Sequence, residues 1–364
     1  MPNVVSDELI NISVRNQGLL EAVKNGLNAK FRKRLVTLQK RVNDAILTSP
    51  DVQTSKKIAK EIERAVNAIQ VQIYAEYLAE FNKDLAEVGL SQSAIEATSY
   101  AKVVIDYKPV APTLEQVVTA YTSTPLQVED SSRSQIFKKA LNEYSKIEIQ
   151  RVNNAVSSGY LQGRTNAQIA RAIKGTKALN YKDGILSHTD NSNRTMVRTM
   201  VQHVATQSRM ETMKRNSDLV KGYRIVVTFD SKTTTLCMDV GQKNETFELG
   251  KGLMPPLHWG CRDATVPVLN SSFDFLKQGA TRASKGAEGG KQVDAKLGSY
   301  DWMLKQPRKW VEETRLGKTR TALLFDGGMT PTEFARLSTN SNNVTLTIEQ
   351  MKIKAPLVFE TAGL

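Results

Sequence analysis

The chain has little of the chemistry on which most enzymes and secreted proteins depend. Its 364 residues include only two cysteines and three histidines, and aromatic residues make up 6%. Two cysteines cannot form a disulfide framework, and this fits a reducing compartment such as the cytoplasm. The P-loop, the dinucleotide-binding fingerprint and the H-E-x-x-H motif are all missing from the sequence. The sequence therefore offers no positive support for an enzyme.

Long apolar runs are also missing. No stretch of the sequence approaches the roughly 20 apolar residues that span a bilayer. The first residues, MPNVVSDELI, lack the basic and then apolar pattern of a signal peptide. We therefore expect neither a membrane anchor nor secretion. The low aromatic content leaves few rings on which bases can stack, so sequence-specific binding of single-stranded nucleic acid is not expected.

Positive charge is what the chain has in excess. Lys and Arg together number 50 against 37 Asp and Glu, which gives a net charge of +13. This charge favours a polyanionic partner such as nucleic acid, an acidic protein surface or anionic lipid, although a basic protein can also be merely soluble. The residues expected to contact DNA phosphates without sequence preference are Arg32, Lys33, Arg34, Lys305, Arg308, Lys309 and Arg320.

Apolar residues at spacings of three and four predict two long helices at the start of the chain. The first apolar stripe covers Leu20–Ile46, Val23 included, and ends before Ser49-Pro50. The second covers Ile58–Val88, with Gly89 at the position of a C-terminal cap. Two stripes of matched length around one turn predict an antiparallel helical hairpin. Each stripe needs the other, or a partner protein, to be buried.

Further helices are predicted from their start signals. Capping boxes occur at Ser93–Glu96, Thr113–Gln116 and Thr165–Gln168. Longer helices are predicted at about 134–156 and 193–216. The stretch Thr165–Gly175 also looks like the first helix of a helix-turn-helix, but the residues after it are too short and broken for a recognition helix. A capped structural helix is the preferred interpretation.

The hydrophobic period then changes from helix to strand. Tyr223–Phe229 is β-branched and aromatic, Glu245–Leu249 alternates like a partner strand, and Ala264–Leu269 is a third candidate. These strands predict a short β-hairpin or sheet near 222–270. The fold class is therefore mainly α with a small α+β domain. The expected regions are a helical hairpin for docking or oligomerisation (1–110), a helical middle (111–216), the α+β domain (217–270), a flexible linker (271–298) and a helical C-terminal tail (299–364).

The scarce metal-binding residues are concentrated in one part of the chain. Cys237, His258 and Cys261 supply three ligands with an affinity for zinc, and His258 and Cys261 have the H-x-x-C spacing that lets one loop face one ion. The candidates for a fourth ligand are Asp230, Asp239 and Asp263. A structural zinc ion is thus one interpretation of these residues. No other cofactor is expected.

A second interpretation needs no metal. In it His258 hydrogen-bonds to the backbone, Arg262 caps a turn, and both cysteines pack as small apolar side chains. A nucleophile and base pair of Cys261 and His258 is disfavoured, because residues so close in sequence rarely point at one another. A disulfide between Cys237 and Cys261 is also disfavoured in a reducing compartment.

Several elements between residues 194 and 267 follow one another in a specific order. Arg198-Thr199 precedes Arg209 and Asn216 on a helix, and Val227-Thr228-Phe229-Asp230 and Thr235-Leu236-Cys237 come next. The loop closes with Pro255-Pro256-Leu257-His258-Trp259-Gly260-Cys261-Arg262. In order and spacing these residues resemble the phage Mu F-like minor head proteins, the phage head morphogenesis family.

The C-terminal region adds to this resemblance. The stretch 299–307, SYDWMLKQP, is similar to the S-Y-x-x-W-L-x-x-Q-P pattern that follows the domain in many such phage proteins. Where members carry Asp-Gly after the cysteine, this chain has Asp239-Val240-Gly241. The resemblance covers about residues 190–335, and the N-terminal helices match in character alone.

The resemblance implies a structural, non-enzymatic virion protein inside the phage head, assembled in the host cytoplasm. It implies association with the portal ring and a role in head assembly and DNA delivery. The further partners that we expect are packaged double-stranded DNA, bound without sequence preference, a capsid or scaffold protein, and a second copy of the chain. A basic protein beside packaged DNA lowers electrostatic repulsion, which agrees with this expectation.

Two other functions stay open at this point. One is a metal-dependent hydrolase or nuclease centred on Cys237, His258 and Cys261. The other is a DNA-binding regulator built on Thr165–Gly175.

Overall fold

The computed structural model describes residues 7–50, 56–104, 106–126, 128, 137–270, 281–340 and 343–364. The helices among them are α1 (Asp7–Leu47), α2 (Lys56–Val103), α3 (Leu114–Ser123), α4 (Phe137–Leu161), α5 (Asn166–Lys174), α6 (Ile185–Arg215), α7 (Thr235–Lys243), α8 (Ser299–Met303), α9 (Arg308–Glu312), α10 (Gly317–Asp326), α11 (Pro331–Ser338), α12 (Ile348–Lys354) and α13 (Pro356–Thr361). The strands are β1 (Val220–Val226), β2 (Phe229–Asp230), β3 (Phe247–Glu248), β4 (Ala264–Leu269), β5 (Thr281–Gly286) and β6 (Gly289–Asp294). The protein is mainly α with small β-sheets, as the sequence predicted.

The first helix ends where the sequence predicted. Its last carbonyl groups have no partner within the helix and need one elsewhere. The side-chain Nδ2 of Asn166 donates to the carbonyl oxygens of Ile46 at 2.9 Å and Ser49 at 3.1 Å. Asn166 is the first residue of α5. Its side-chain amide therefore caps the C-terminal end of α1 and joins that end to the start of α5.

The second helix is longer than predicted, and the predicted C-terminal cap at Gly89 is wrong. α2 continues through Gly89 to Val103. A Cβ atom at Gly89 would lie 2.6 Å from Cγ1 of Val117 and 2.8 Å from Oγ of Ser208. The glycine is therefore present because α3 and α6 pack tightly against α2 at this point.

The predicted capping box at Ser93–Glu96 is wrong for a related reason. Both residues are buried inside α2. The hydroxyl of Ser93 donates to the carbonyl oxygen of Ser208 at 3.1 Å, and Glu96 forms an ion pair with Arg209. Polar residues that look like a helix start instead hold α2 against α6.

Substitution of Gly89 tests this close packing. Alanine normally stabilises a helix interior by about 1 kcal/mol relative to glycine. At Gly89 we expect the added methyl group to push apart α2, α3 and α6, so that Gly89→Ala lowers the free energy of unfolding by about 1–2 kcal/mol. The matched control is Gly18→Ala in α1, where a Cβ meets nothing within 4 Å and a gain is expected. Urea denaturation measures both, and equal gains at the two sites would contradict the packing role.

The apolar stripes of α1 and α2 face each other and α6, which packs against both helices. Phe31, Phe81 and Val201 belong to the core that these helices share. One predicted core position is wrong, because Val23 is 41% exposed while the neighbouring Lys24 is 1% exposed. The stripes are thus buried within the chain and are not left for a partner, which removes the original reason for a docking role of the hairpin.

The middle helices largely follow their start signals. The capping boxes at Thr113–Gln116 and Thr165–Gln168 are confirmed at the starts of α3 and α5. The predicted start of α4 at 134 lies outside the described residues, and α6 starts earlier than predicted. Ile173 of α5 is fully buried, and most of α6 is buried as well. The interpretation of α5 as a structural helix therefore fits its packing better than a helix-turn-helix does.

Two three-stranded sheets follow α6. The first has the order β3-β1-β4, and β1 pairs antiparallel with both neighbours, as the three predicted strands required. The first of them was predicted as Tyr223–Phe229, but β1 ends at Val226 and Phe229 belongs to β2 of the second sheet. Tyr223 in β1 lies opposite Phe247 on one side and Pro267 on the other. The second sheet has the order β2-β5-β6, with β2 parallel to β5 and β5 antiparallel to β6.

The flexible linker predicted for 271–298 is wrong over residues 281–294, which form the hairpin β5–β6. Residues 271–280 of that prediction lie outside the described part of the chain. The guanidinium of Arg282 lies 4.0 Å from the ring centre of Phe229 and donates to the carbonyl oxygen of Ala295 at 2.7 Å. Polar inward-facing residues therefore hold this hairpin on the domain.

Helices α8 to α13 confirm the predicted helical tail. Thr330 caps α11, with Pro331 at its first position and Glu333 closing the capping box. No helix in the described ranges has both the length and the apolar character needed to cross a membrane.

A single cluster of buried apolar residues joins this tail to the sheets and to the ends of the long helices. Leu9, Tyr100, Tyr223, Tyr300 and Phe334 all belong to it. A second cluster fills the space between the long helices. The described part of the chain therefore has two cores, and the division into five regions stays a prediction.

Candidate functional site

Three scarce side chains meet at the point where α7, the loop before β4 and α6 approach one another. Cys237 lies in the first turn of α7, whose cap Thr234 accepts a hydrogen bond from the backbone N–H of Cys237. His258 and Cys261 lie in the loop that leads into β4. One ligand atom from each of Cys237, His258 and Cys261 lies within 4.8 Å of the others. The structure thus brings together the three residues that the sequence singled out.

This cluster is closed to solvent on the side of its sulfur atoms. Cys237 and Cys261 are both 0% exposed, and Asp263 is 2% exposed. Sγ of Cys261 lies within hydrogen-bond distance, 3.4 Å, of Oδ2 of Asp263. The imidazole of His258 is half-buried, and its Nδ1 lies 2.9 Å from the carbonyl oxygen of Trp259. The remaining imidazole nitrogen, Nε2, is available to the cluster.

Burial and close approach shift the pKa values of this cluster. Burial raises the pKa of the Cys237 thiol and raises the pKa of Asp263 to about 8. Burial also opposes ionisation of Cys261, but hydrogen bonds from Cys237 and His258 lower the pKa of its thiol well below the usual value. Burial lowers the pKa of His258, but its hydrogen bond and attraction to Cys261 raise it overall. The directions of these pKa shifts favour ionisation of Cys261 over ionisation of Cys237 or Asp263.

Of the three aspartates proposed as a fourth ligand, one is close to the cluster. Asp230 forms a bidentate ion pair with Arg262 and accepts from the N–H of Lys232 at 2.8 Å. Asp239 accepts from the hydroxyl of Tyr300 at 2.5 Å. Asp263 alone among the three contacts a ligand of the cluster. Arg262 therefore pairs with a carboxylate, which corrects the interpretation that it caps a turn.

The loop that carries His258 and Cys261 is tied to α6. The N–H of Gly260 donates to Oγ1 of Thr199 at 2.9 Å, and Gly260 has a φ of 77°, a conformation that favours glycine. The side chain of Gln202 donates to the carbonyl oxygen of Asp263 at 2.8 Å. The helix therefore holds the loop on either side of Cys261, at Gly260 and at Asp263.

A buried lysine that was not predicted from the sequence extends this polar network to α1. Nζ of Lys24 donates to Glu21 at 2.6 Å and to the side-chain oxygen of Gln202 at 2.7 Å. Burial lowers the pKa of Lys24, although its ion pair with Glu21 opposes the shift. The one available signal was that Lys24 interrupts an otherwise apolar helix face. A polar chain from Glu21 through Lys24 and Gln202 thus reaches the backbone of Asp263.

Other residues of the resembling segment also have internal contacts. Arg209 forms an ion pair with Glu96 at 2.7 Å and donates to the hydroxyl of Ser13 at 2.8 Å, so it connects α6 to both α1 and α2. The side chain of Asn216 pairs with the backbone N–H and carbonyl oxygen of Val110 at 2.8 and 2.9 Å. These contacts join distant parts of the chain.

The SYDWM stretch of α8 packs beside the cluster. Tyr300 donates to Asp239 of α7, and the ring of Trp302 stacks on Phe229 at 5.1 Å between centres. A Cβ atom at Gly241 would lie 2.3 Å from Oγ of Ser299. Asp239 and Gly241 thus both lie at the contact between α7 and α8, one as a hydrogen-bond acceptor and the other as a residue without a side chain.

The residues predicted to contact DNA fall into two groups. Four of the seven have intramolecular partners: Arg32 with Asp190, Arg34 with Glu76 and Glu80, Arg308 with Glu312 and Asp326, and Arg320 with the carbonyl oxygen of Leu346. Lys33, Lys305 and Lys309 are exposed, and none of them has an acidic partner among the residues that the structure describes. These three lysines are the stronger candidates for phosphate contacts.

A groove of about 530 Å³ lies between α4 and α6, and it was not predicted from the sequence. Trp259 and His188 form part of its wall. Two charged residues of the wall, Glu148 and Arg151, pair with each other at 3.1 Å. Because these two charges are paired, the groove would contact a ligand mainly through its apolar side chains.

Comparison with known proteins gives no significant match, whether with protein-family models, with curated proteins or with solved structures.

Proposed function

We propose that this chain is a structural protein of a phage head, a minor head protein located between the portal ring and the packaged genome. In this proposal it assists head assembly and DNA delivery without catalysing a reaction. It is assembled in the host cytoplasm and lies inside the virion. Its partners are the portal ring, double-stranded DNA bound without sequence preference, a capsid or scaffold protein, and a second copy of itself.

The observation that carries this proposal is how the resembling segment uses its polar groups. Thr199, Arg209 and Asn216 each connect α6 to a distant part of the chain, and Asp230 pairs with Arg262. The two thiols that a catalytic centre would use are fully buried. Such a distribution suits a scaffold that holds surfaces in place, and it leaves few groups for substrate chemistry.

The surface available to a portal is different from the one that the sequence suggested. The apolar stripes of the hairpin are internal, but Leu19 and Val23 lie one turn apart on α1 and are 65% and 41% exposed. Two exposed apolar residues on a long helix suit contact with a helical partner. We therefore assign portal contact to this outer face of α1.

Co-sedimentation with portal oligomers of the same phage tests the proposed function. The full chain is used, because removal of residues 1–110 would expose the core that α1 and α2 share with α6. We expect the native chain to sediment with the portal and the double variant Leu19→Glu, Val23→Glu to lose at least tenfold in affinity. The control variant Leu161→Glu, Leu179→Glu changes residues that are 81% and 57% exposed elsewhere. Equal binding by both variants, or no binding by the native chain, would contradict the assignment.

Duplex DNA in the same assay tests contact with the genome. Affinity should be the same for any sequence and should fall steeply with salt, and each lost phosphate contact should lower the salt slope by about 0.9. Lys305→Ala, Lys309→Ala should lower the slope, whereas Lys83→Ala, Lys182→Ala is the control that removes the same charge elsewhere. Sequence-selective binding at physiological salt would instead favour a regulator.

A further inference from the structure

The cluster formed by Cys237, His258 and Cys261 has the composition of a metal site. It combines two thiols and one imidazole, and its ligand atoms lie within 4.8 Å of one another. With bond lengths of about 2.0–2.3 Å, a tetrahedral zinc ion places its ligand atoms roughly 3.3–3.8 Å apart. A small inward movement of the side chains is enough to reach that geometry.

We propose that Cys237, His258, Cys261 and the carboxylate of Asp263 bind one zinc ion, and that the ion has a structural role. Asp263 is the fourth ligand because its Oδ2 lies 3.4 Å from Sγ of Cys261. Its other oxygen, Oδ1, accepts from the N–H of Thr228 at 3.3 Å, which holds the carboxylate in place. Thiolate, imidazole and carboxylate are the three ligand types that zinc takes in proteins.

Charge balance gives a second argument for the ion. Two buried thiols and a buried carboxyl group lie beside the half-buried imidazole, and burial of a charge on any of them is costly unless that charge is paired. Two buried cations of the neighbourhood have other partners: Lys24 pairs with Glu21 and Gln202, and Arg282 donates to the carbonyl oxygen of Ala295. Arg262 in the same loop is paired with Asp230. A divalent cation would supply the charge that the cluster needs.

The position of the cluster explains what the ion would do. The loop from 250 to 263 has no helix or strand, yet it connects β3 to β4 across the face of α6. A zinc ion would fix this loop to the first turn of α7 through Cys237, while Thr199 and Gln202 hold it on α6. Four protein ligands leave no open position for a water molecule, which is typical of structural zinc and not of catalytic zinc.

Metal content of the full chain is the first test. After purification in reducing buffer and reloading with zinc sulfate, we expect about one zinc ion per chain by elemental mass spectrometry. Cys237→Ser and Cys261→Ser should lose the ion, and His188→Ala, which removes an exposed imidazole outside the cluster, should keep it. A native chain with less than about a tenth of an ion overturns the proposal, as does a disulfide between the cysteines in that buffer.

Cobalt substitution in the native chain tests the thiolate ligands without depending on how the variants fold, and one variant then tests Asp263. Tetrahedral Co(II) bound by thiolates should show a sulfur-to-metal charge-transfer band and intense d–d bands. Asp263→Asn should keep the charge-transfer band and shift the d–d bands, so unchanged d–d bands overturn the assignment of Asp263. A zinc-dependent hydrolase or nuclease activity that is lost in His258→Ala overturns the structural role.

Discussion

Glu96→Ala is expected to lower the free energy of unfolding by about 3–5 kcal/mol, because it leaves the guanidinium of Arg209 buried without its carboxylate. Both side chains are almost fully buried, 3% and 4% exposed, and their contact atoms lie 2.7 Å apart. Arg209 also donates to Ser13, so the loss loosens α1 as well as α2. Urea denaturation followed by circular dichroism measures the change.

A matched pair on the surface provides the control. Glu143 and Lys146 lie 3.2 Å apart in α4, but their side chains are 42% and 71% exposed. Exposed pairs of this kind contribute about 0.3–0.5 kcal/mol, so Glu143→Ala should change the free energy of unfolding very little. The double variant Glu96→Leu, Arg209→Met removes both charges and should recover much of the lost stability. An equal, small effect of Glu96→Ala and Glu143→Ala would contradict the role given to the buried pair.

The buried pair also marks a limit of sequence reasoning. The long helices and their main starts followed from apolar spacing and capping boxes, which are local signals. Ser93 and Glu96 have the same local pattern as the true capping boxes, but their partners lie on α6, more than a hundred positions later in the chain. The prediction of a C-terminal cap at Gly89 was wrong for the same reason. A glycine at the end of a helix and a glycine at a helix crossing cannot be distinguished by the local sequence. Only the packing of α3 and α6 distinguishes the two.

The β5–β6 hairpin was missed because its inward-facing residues are polar. Strand prediction depends on alternation of apolar and polar residues. In β5 the buried positions are Arg282 and Ser284, and the exposed ones include Lys285. Buried and exposed residues therefore alternate along β5, but apolar and polar residues do not. The guanidinium of Arg282 packs over the ring of Phe229 in a cation–π contact, so this inward-facing position of β5 is filled by a charged side chain and not by an apolar one.

The candidate site was predictable in its ligands and not in its surroundings. Cys237, His258 and Cys261 stood out because such residues are scarce, and Asp263 was one of three carboxylates considered. The choice among the three depended on Arg262 and Tyr300, which occupy Asp230 and Asp239. Lys24 and Gln202 are 178 positions apart, so no local pattern relates them. Scarcity thus identified the site, whereas its electrostatic balance required the folded chain.

Acidification should destabilise this protein through His203. The imidazole is 1% exposed, its Nε2 lies 2.9 Å from the carbonyl oxygen of Tyr121, and its ring stacks on Phe137. Burial lowers the pKa of His203 from 6.5 to about 4, although hydrogen bonds to Tyr121 and Thr124 oppose the shift. The unfolded chain therefore binds a proton between these two pH values that the folded chain does not bind. Stability from this group is complete above pH 6.5 and decreases as the pH falls toward 4.

The expected loss from His203 alone is about 3 kcal/mol between pH 7 and pH 4, since each pKa unit corresponds to about 1.36 kcal/mol. Carboxylates titrate in the same range, so the measurement compares urea unfolding of the native chain with His203→Gln, which keeps a donor to Tyr121 but cannot take up a proton. Between pH 7 and pH 4, the free energy of unfolding of the native chain should fall by about 3 kcal/mol more than that of His203→Gln. His188→Gln, at an exposed position, should follow the native chain at every pH. If His203→Gln also follows it, the imidazole is not held neutral by burial, and the packing of α3 and α4 against α6 must tolerate a charge.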